Sequence, residues 1–195
     1  RLALALEASE LGLWDWNLQT DEVHHTQLKE LFGLEPEYVT AMLSHLKPRL
    51  HPDDLPLLKH ALVEHLKGRS EDYQVEYRIR HGDGHWVWIE DRGRAVERTP
   101  SGRVIRMLGT RRDISASKAV EEQQRLASTV FEAASEGIVI LDPNYALIAV
   151  NQAFSRVTGF DIDDMLGRNV VELPCSRDAR RHFPLIRQAL LSHGT

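Results

Sequence analysis

Apolar residues recur along this chain with two periods, and each change of period marks an element. Leu2, Leu6 and Ser9 sit at helical spacing up to Gly12, where the pattern switches to alternation through Trp14, Asp15, Trp16 and Asn17, predicting helix and then strand. The polar turn Thr20-Asp21-Glu22 leads to a second short strand near Val23, giving a hairpin, and Leu28, Leu31 and Phe32 mark a helix stopped by Gly33. Pro36, Pro48, Pro52 and Pro56 punctuate short helical pieces. His51-Pro52-Asp53-Asp54 reads as a capping sequence, with an acid accepting the free amides of the helix that carries Leu57, Leu58, Ala61, Leu62 and Leu66 and ends at Gly68. Tyr73, Val75, Tyr77 and Ile79 then alternate with Gln74, Glu76, Arg78 and Arg80, as in a sheet with one buried face. Asp83-Gly84 predicts a hairpin turn with both residues at positive φ, followed by strands over 86–96 and 104–114 separated by Pro100-Ser101-Gly102. From Ser115 a helix runs through Val120, Ala127 and Ala134 at heptad spacing.

The pattern then starts again. Arg1-Leu2-Ala3 and Glu7-Ala8-Ser9-Glu10 reappear as Arg125-Leu126-Ala127 and Glu132-Ala133 with Ser135-Glu136, and Leu28 to Leu34 corresponds to Phe154 to Phe160, placing Gly33 against Gly159. A period of this length is that of a small domain with its linker, so the chain holds one full copy and the front of another. Copy two repeats strand (138–141), turn (Asp142-Pro143-Asn144), strand (147–150) and helices, and the counterparts of the three later strands are absent. Its front half alone would expose Ile138, Ile140, Ile148 and Val150, which calls for cover by chain beyond Thr195 or by another chain. The sequence begins within a helix and without Met, as if cut from something longer.

Two strands, short helices and three strands make an α+β layer: a five-stranded antiparallel sheet with helices on one face. The composition is that of an ordinary globular protein, 42% hydrophobic and 27% charged, with no apolar run near the ~20 residues of a membrane span. The net charge of -5 gives no attraction to nucleic acid, and Arg111-Arg112 and Arg180-Arg181 read as solvated faces. The lone Cys175 fits a reducing, cytoplasmic setting.

Copy one resembles the PAS family. The resemblance rests on Gly12 to Trp16, Leu31-Phe32-Gly33, His51 to Asp54, Tyr77 to Gly84, Trp86-Val87-Trp88, and Gly109 with Asp113-Ile114-Ser115; it spans residues 1–119. Copy two resembles the front of another PAS domain through Glu136-Gly137-Ile138, Val150-Asn151 with Ala153-Phe154, Thr158-Gly159-Phe160 and Leu166 to Asn169. The expected organisation is an N-terminal helix end (1–10), PAS domain 1 (11–114), a linker helix (115–135) and a partial PAS domain 2 (136–195). The resemblance implies that Asn151 holds the second strand to the following helix, with His25 standing at that position in copy one.

It also implies a cytoplasmic sensory and dimerising region of a multidomain signalling protein, itself not an enzyme. The output would be a diguanylate cyclase or phosphodiesterase, or a histidine kinase of a two-component system. A homodimer would form through the linker and N-terminal helices. A small-molecule ligand would meet Trp14, Trp16, Phe32, Tyr77, Trp86 and Trp88, side chains suited to a flat aromatic pocket and equally to core packing. Asp113 and Ser115 would relay the signal, the acid bonding to the domain and the hydroxyl capping the helix. Two other readings compete: a haem or FAD sensor, and a ligand-free dimer spacer. Haem would use His182, the helix histidine of oxygen-sensing relatives. A flavin-thiol photosensor is excluded by Val170, which stands where those relatives carry the cysteine after Gly167-Arg168-Asn169. The histidines show no metal-ligand spacing: His24 and His25 face opposite ways, and His60 and His65 lie off one helical face. No nucleophile elbow or phosphate loop is present.

Overall fold

The computed structural model describes residues 11–34 and 46–170. Segment 1–10, Pro36, Cys175, Arg180, Arg181 and His182 lie outside the described residues. The chain divides into two compact units, Arg1–Glu121 and Glu122–Thr195.

In the first unit β1 (Gly12–Asn17), β2 (Glu22–His25), β3 (Tyr73–Arg80), β4 (Trp86–Arg98) and β5 (Val104–Asp113) form one antiparallel sheet in the order β2-β1-β5-β4-β3. Alternation decides which residues enter the core: Tyr73, Val75, Tyr77 and Ile79 are buried on β3, Val87 and Ile89 on β4, and Trp14 and Trp16 on β1. Helices α1 (Leu28–Phe32) and α2 (Leu55–Leu66) close that core with Leu28, Leu31, Phe32 and Leu58. Leu57, on the opposite side of α2, is exposed.

One row across the sheet explains the glycine near the end of β5. Trp14 pairs with Gly109, Gly109 with Gly93, and Gly93 with Tyr73. The indole lies flat over the two glycines and meets the Tyr73 ring edge-on at 6.2 Å. A Cβ on Gly109 would fall 2.3 Å from the indole and 2.2 Å from the Arg92 carbonyl, so the row is a slot cut to the ring.

Two local expectations are corrected. Asp54 makes no capping bond at the start of α2; its carboxylate instead accepts from the backbone N–H of Arg78 at 2.8 Å and from the Arg78 guanidinium at 2.8 and 2.7 Å. A bidentate pair with an added amide outcompetes a cap, and it pins the entry of α2 to β3, holding the Asp54 carboxyl below its ordinary pKa through those Arg78 bonds. At Asp83-Gly84 only Gly84 has positive φ, at 102°, because the chain turns through five residues, with His81 N–H bonding to the His85 carbonyl. A buried histidine on α2 adds a second tie between helix and sheet. His65 Nε2 accepts from Ala95 N–H at 3.0 Å, which leaves Nδ1 to donate to the Ser70 carbonyl at 3.1 Å.

The next helix, α3 (Ser115–Ala133), is continuous, carries no buried residue and stops one residue short of Ala134. In the second unit β6 (Val139–Leu141) and β7 (Leu147–Val150) form a hairpin, followed by α4 (Gln152–Thr158) and α5 (Ile162–Met165). Their core is Leu147, Val150 and Met165, so Val150 is buried, while Ile138, Ile140 and Ile148 are exposed as expected.

Asn151 is fully engaged. Its Oδ1 accepts from Ile138 N–H at 2.9 Å and Phe154 N–H at 3.0 Å, and its amide donates to the Phe131 and Glu136 carbonyls at 2.9 Å each. The matching position in copy one is Thr26 and not His25: Thr26 Oγ1 accepts from Leu13 N–H at 2.8 Å, the counterpart of the Ile138 bond, and the cap is not replaced, since Gln27, the residue before α1, makes no side-chain capping bond.

Replacing Gly109 with Ala is expected to destabilise the first unit by about 1–3 kcal/mol through overpacking against Trp14, measured by chemical denaturation. An unchanged midpoint would show that the slot has slack.

Candidate functional site

The sheet carries an ion pair at its centre. Asp91 on β4 and Arg111 on β5 are opposite one another in register and almost completely buried, with Arg111 Nε donating to Asp91 Oδ2 at 2.9 Å. Tyr77 Oη donates to the same oxygen at 3.0 Å, and Trp14 Nε1 donates to Oδ1 at 2.7 Å. A second guanidinium nitrogen of Arg111 lies 3.1 Å from His25 Nδ1, which accepts, and the cation stands 5.5 Å from the Trp14 ring and 5.9 Å from that of Phe32. The expectation that Arg111 lies on a solvated face is therefore overturned; only Arg112 points outward, where it pairs with Glu90 at 2.9 Å.

Burial disfavours the charge on Arg111, yet the neighbouring Asp91 and the tyrosine rings outweigh it, and its pKa stands above the ordinary value. Burial pushes the Tyr77 phenol up as well, so it remains a donor at every physiological pH. His25 is held neutral: burial first, then the Arg111 charge and His24, depress its pKa to about 3.

Above this cluster lies a cavity of about 380 Å³. Its walls are Leu46 and Leu50 from the segment before α2, and Leu55, Leu58, Leu62 and Val63 from α2; Tyr77, Asp91 and Arg111 form its floor, and Lys47 and Lys59 also line it. Of the six aromatic residues expected at a ligand pocket, Tyr77 is the one among its described lining. Trp14 fills the glycine slot, Trp16 donates to Asp21 at 3.0 Å, and Phe32 covers Arg111. Trp86 is 44% exposed and tilts against His51 at 4.9 Å. Trp88 faces away from the cavity, between Arg78 at 5.1 Å and Lys118 at 5.3 Å.

Trp88 marks the exit from the sheet. Ile114 N–H donates to the Trp88 carbonyl at 2.9 Å, and Trp88 N–H donates to Ser115 Oγ at 2.9 Å. Asp113 Oδ1 accepts from Ser115 N–H at 2.7 Å, and Lys118 Nζ lies 2.7 Å from Glu76 on β3. The expected roles are thus exchanged: the acid serves the first amide of α3, and the hydroxyl ties the helix to the sheet.

The turn between β3 and β4 gathers three further side chains. His81 and Asp83 approach at 3.0 Å, His85 and Asp83 at 2.5 Å, and the two imidazoles stack at 4.7 Å. Sequence reasoning missed this group, although His81, Asp83 and His85 stand at alternate positions in a turn rich in glycine, a signal that could have found it.

An antiparallel sheet in this order, enclosing a cavity against short helices, is the architecture of PAS domains. A PAS fold model matches residues 24–111 and a PAS domain model matches residues 124–190. The crystal structure of a sensory box histidine kinase/response regulator from Burkholderia thailandensis is 32% identical, with a TM-score of 0.56, over 66% of this chain and 95% of that one. The chain belongs to the PAS family; it is a tandem PAS region, a sensory part of signal transduction. The probable diguanylate cyclase DgcE of Escherichia coli is 25% identical over 86% of this chain and 15% of its own length. The oxygen sensor protein DosP of Escherichia coli is 26% identical over 90% of this chain and 23% of its own length. The chain thus spans less than a quarter of either relative. No helix among the described residues is long and apolar enough to cross a membrane.

Two predictions follow from the buried cluster. Asp91→Ala leaves Arg111 charged without its partner and is expected to cost about 3–5 kcal/mol, while the double variant Asp91→Leu/Arg111→Met recovers most of it; denaturation midpoints decide. His25 titrates near its ordinary value when unfolded and near 3 when folded, so unfolded chains take up protons that folded chains refuse, and stability falls as pH drops from about 6.5 toward 3. About 2 kcal/mol should be lost between pH 7 and pH 5, and His25→Gln should flatten that part of the slope.

Proposed function

We propose that the first PAS domain binds a small, largely apolar molecule in the cavity between α2 and the sheet and passes its occupancy to α3. The observation that carries this reading is the continuity of the cavity floor with the exit. Arg111 lies two residues before Asp113 on β5, and Asp91 lies three residues after Trp88 on β4. A ligand that presses on the floor strains the strands whose ends hold the Ser115 bond. A cavity of about 380 Å³ falls within the range of small-molecule pockets, and its leucine walls suit an apolar body.

The partner of the linker is a second copy of this chain. Val120, Leu126 and Val130 are exposed on a 19-residue helix with no buried residue, and helices in proteins draw most of their stability from packing an apolar face. The output is a diguanylate cyclase or a histidine kinase, by likeness to relatives that bear those names, and the setting is cytoplasmic.

Native mass spectrometry and the absorption spectrum of purified protein test the ligand. The expected result is a bound or exchangeable apolar molecule, displaced in Leu58→Trp, which fills the cavity while keeping the fold. A coloured protein with haem or flavin bands would replace this reading with a cofactor sensor, and an empty protein unresponsive to any metabolite panel would leave a dimer spacer. For the relay, Ser115→Ala is expected to cost about 1 kcal/mol and to speed amide exchange at Trp88; unchanged exchange there would remove Ser115 from the relay.

A further inference from the structure

We propose that His81, Asp83 and His85 form a binding site for a divalent transition-metal ion of the zinc, nickel or copper type, distinct from the cavity. One ligand atom from each of the three lies within 4.8 Å of the others. Both imidazoles turn Nδ1 toward the same oxygen, Asp83 Oδ1, at 3.0 and 2.5 Å, and their rings stack at an interplanar angle of 29°. Small rotations bring three such atoms to the ~2.0–2.2 Å of a bound ion. An ion would take the place of the hydrogen between His85 and the carboxylate, and of the Asp83 N–H that His81 Nδ1 accepts at 3.4 Å, each neutral imidazole then carrying its hydrogen on Nε2.

The turn holds this arrangement without help from a ligand. His81 N–H bonds to the His85 carbonyl at 2.8 Å, Gly84 N–H to the His81 carbonyl at 3.0 Å, and His85 N–H to Asp83 Oδ1 at 3.2 Å. The turn is also docked on the end of α1: Gly82 N–H donates to the Phe32 carbonyl at 2.8 Å. A Cβ on Gly82 would sit 2.2 Å from the Gly33 carbonyl oxygen, and a Cβ on Gly33 would sit 2.4 Å from the His81 ring. Two glycines therefore give the backbone the close approach that seats His81. A turn already held by so many backbone bonds does not need a second imidazole for its own stability.

Two imidazoles and one carboxylate favour zinc, nickel or copper over magnesium or calcium, which prefer all-oxygen shells. The side chains of Asp83 and His85 are 61% and 58% exposed, so the remaining coordination positions face water and an ion held here stays open to a further ligand.

Titration calorimetry of the tag-free chain with zinc chloride, together with electron paramagnetic resonance of its copper(II) form, tests the site. The expected result is one ion per chain and a copper spectrum coupled to two imidazole nitrogens. His85→Gln and Asp83→Asn should each weaken binding by more than about tenfold while leaving the circular dichroism and the metal-free melting temperature unchanged. His81 is left intact because its ring also seats the turn. Absence of saturable binding by the parent chain would overturn the proposal, as would binding undiminished in His85→Gln and Asp83→Asn, which would place the ion on other histidines.

Discussion

Five strands meet at one carboxylate and one guanidinium. Asp91 belongs to β4 and Arg111 to β5, and their direct partners are Trp14 on β1, Tyr77 on β3 and His25 on β2. No other group of polar side chains described in this sheet touches every strand. Burying a pair of charges is expensive, and it is tolerated only where every lone pair and proton is met. Here Asp91 accepts three bonds and the Arg111 cation is also faced by aromatic rings. The cluster demands one registry, because sliding any strand would strand a charge in the core. The glycine slot beneath Trp14 serves the same end, since it lets the indole lie low enough for its N–H to reach Asp91.

Where the chain's own period was strong, the architecture could be read from it. Strict alternation from Tyr73 to Arg80 identified β3 and its buried face, and the recurrence of the opening segment revealed the second copy. The ion pair is less legible, because a charged residue on the two longest strands reads as surface unless the phase of its apolar neighbours is followed. Asp91 is in phase with Val87 and Ile89, and Arg111 with Met107 and Gly109, so both charges occupy inward positions; adjacency of Arg111 to Arg112 suggested a surface instead. Asp54 escaped for a different reason. A Pro-Asp-Asp sequence is a sound capping signal, but the partner that overrides it, Arg78, is far along the chain and becomes adjacent only when the sheet forms. The aromatic residues were visible as a group, yet pattern alone does not separate those that fill a core from those that line a cavity.

The two copies solve one problem with different chemistry. Each must fasten the end of its second strand to the first. Asn151 does so with a side chain that accepts twice and donates twice, and so also caps α4. Thr26 has a single oxygen, spends it on Leu13, and leaves α1 short and uncapped. In copy one the end of that short helix is instead steadied by the β3–β4 turn, through the Gly82 bond to Phe32.

The clasp at Trp88 has a consequence for the length of whatever follows it. Because Trp88 both accepts from Ile114 and donates to Ser115, the last rung of the sheet sets the rotational phase at which α3 begins. Each residue inserted or deleted along the helix turns everything after it by about 100°, while a change of seven nearly restores the original heading. Linker length between such modules is therefore expected to vary in steps of a heptad, with intermediate lengths reversing or silencing the signal they carry.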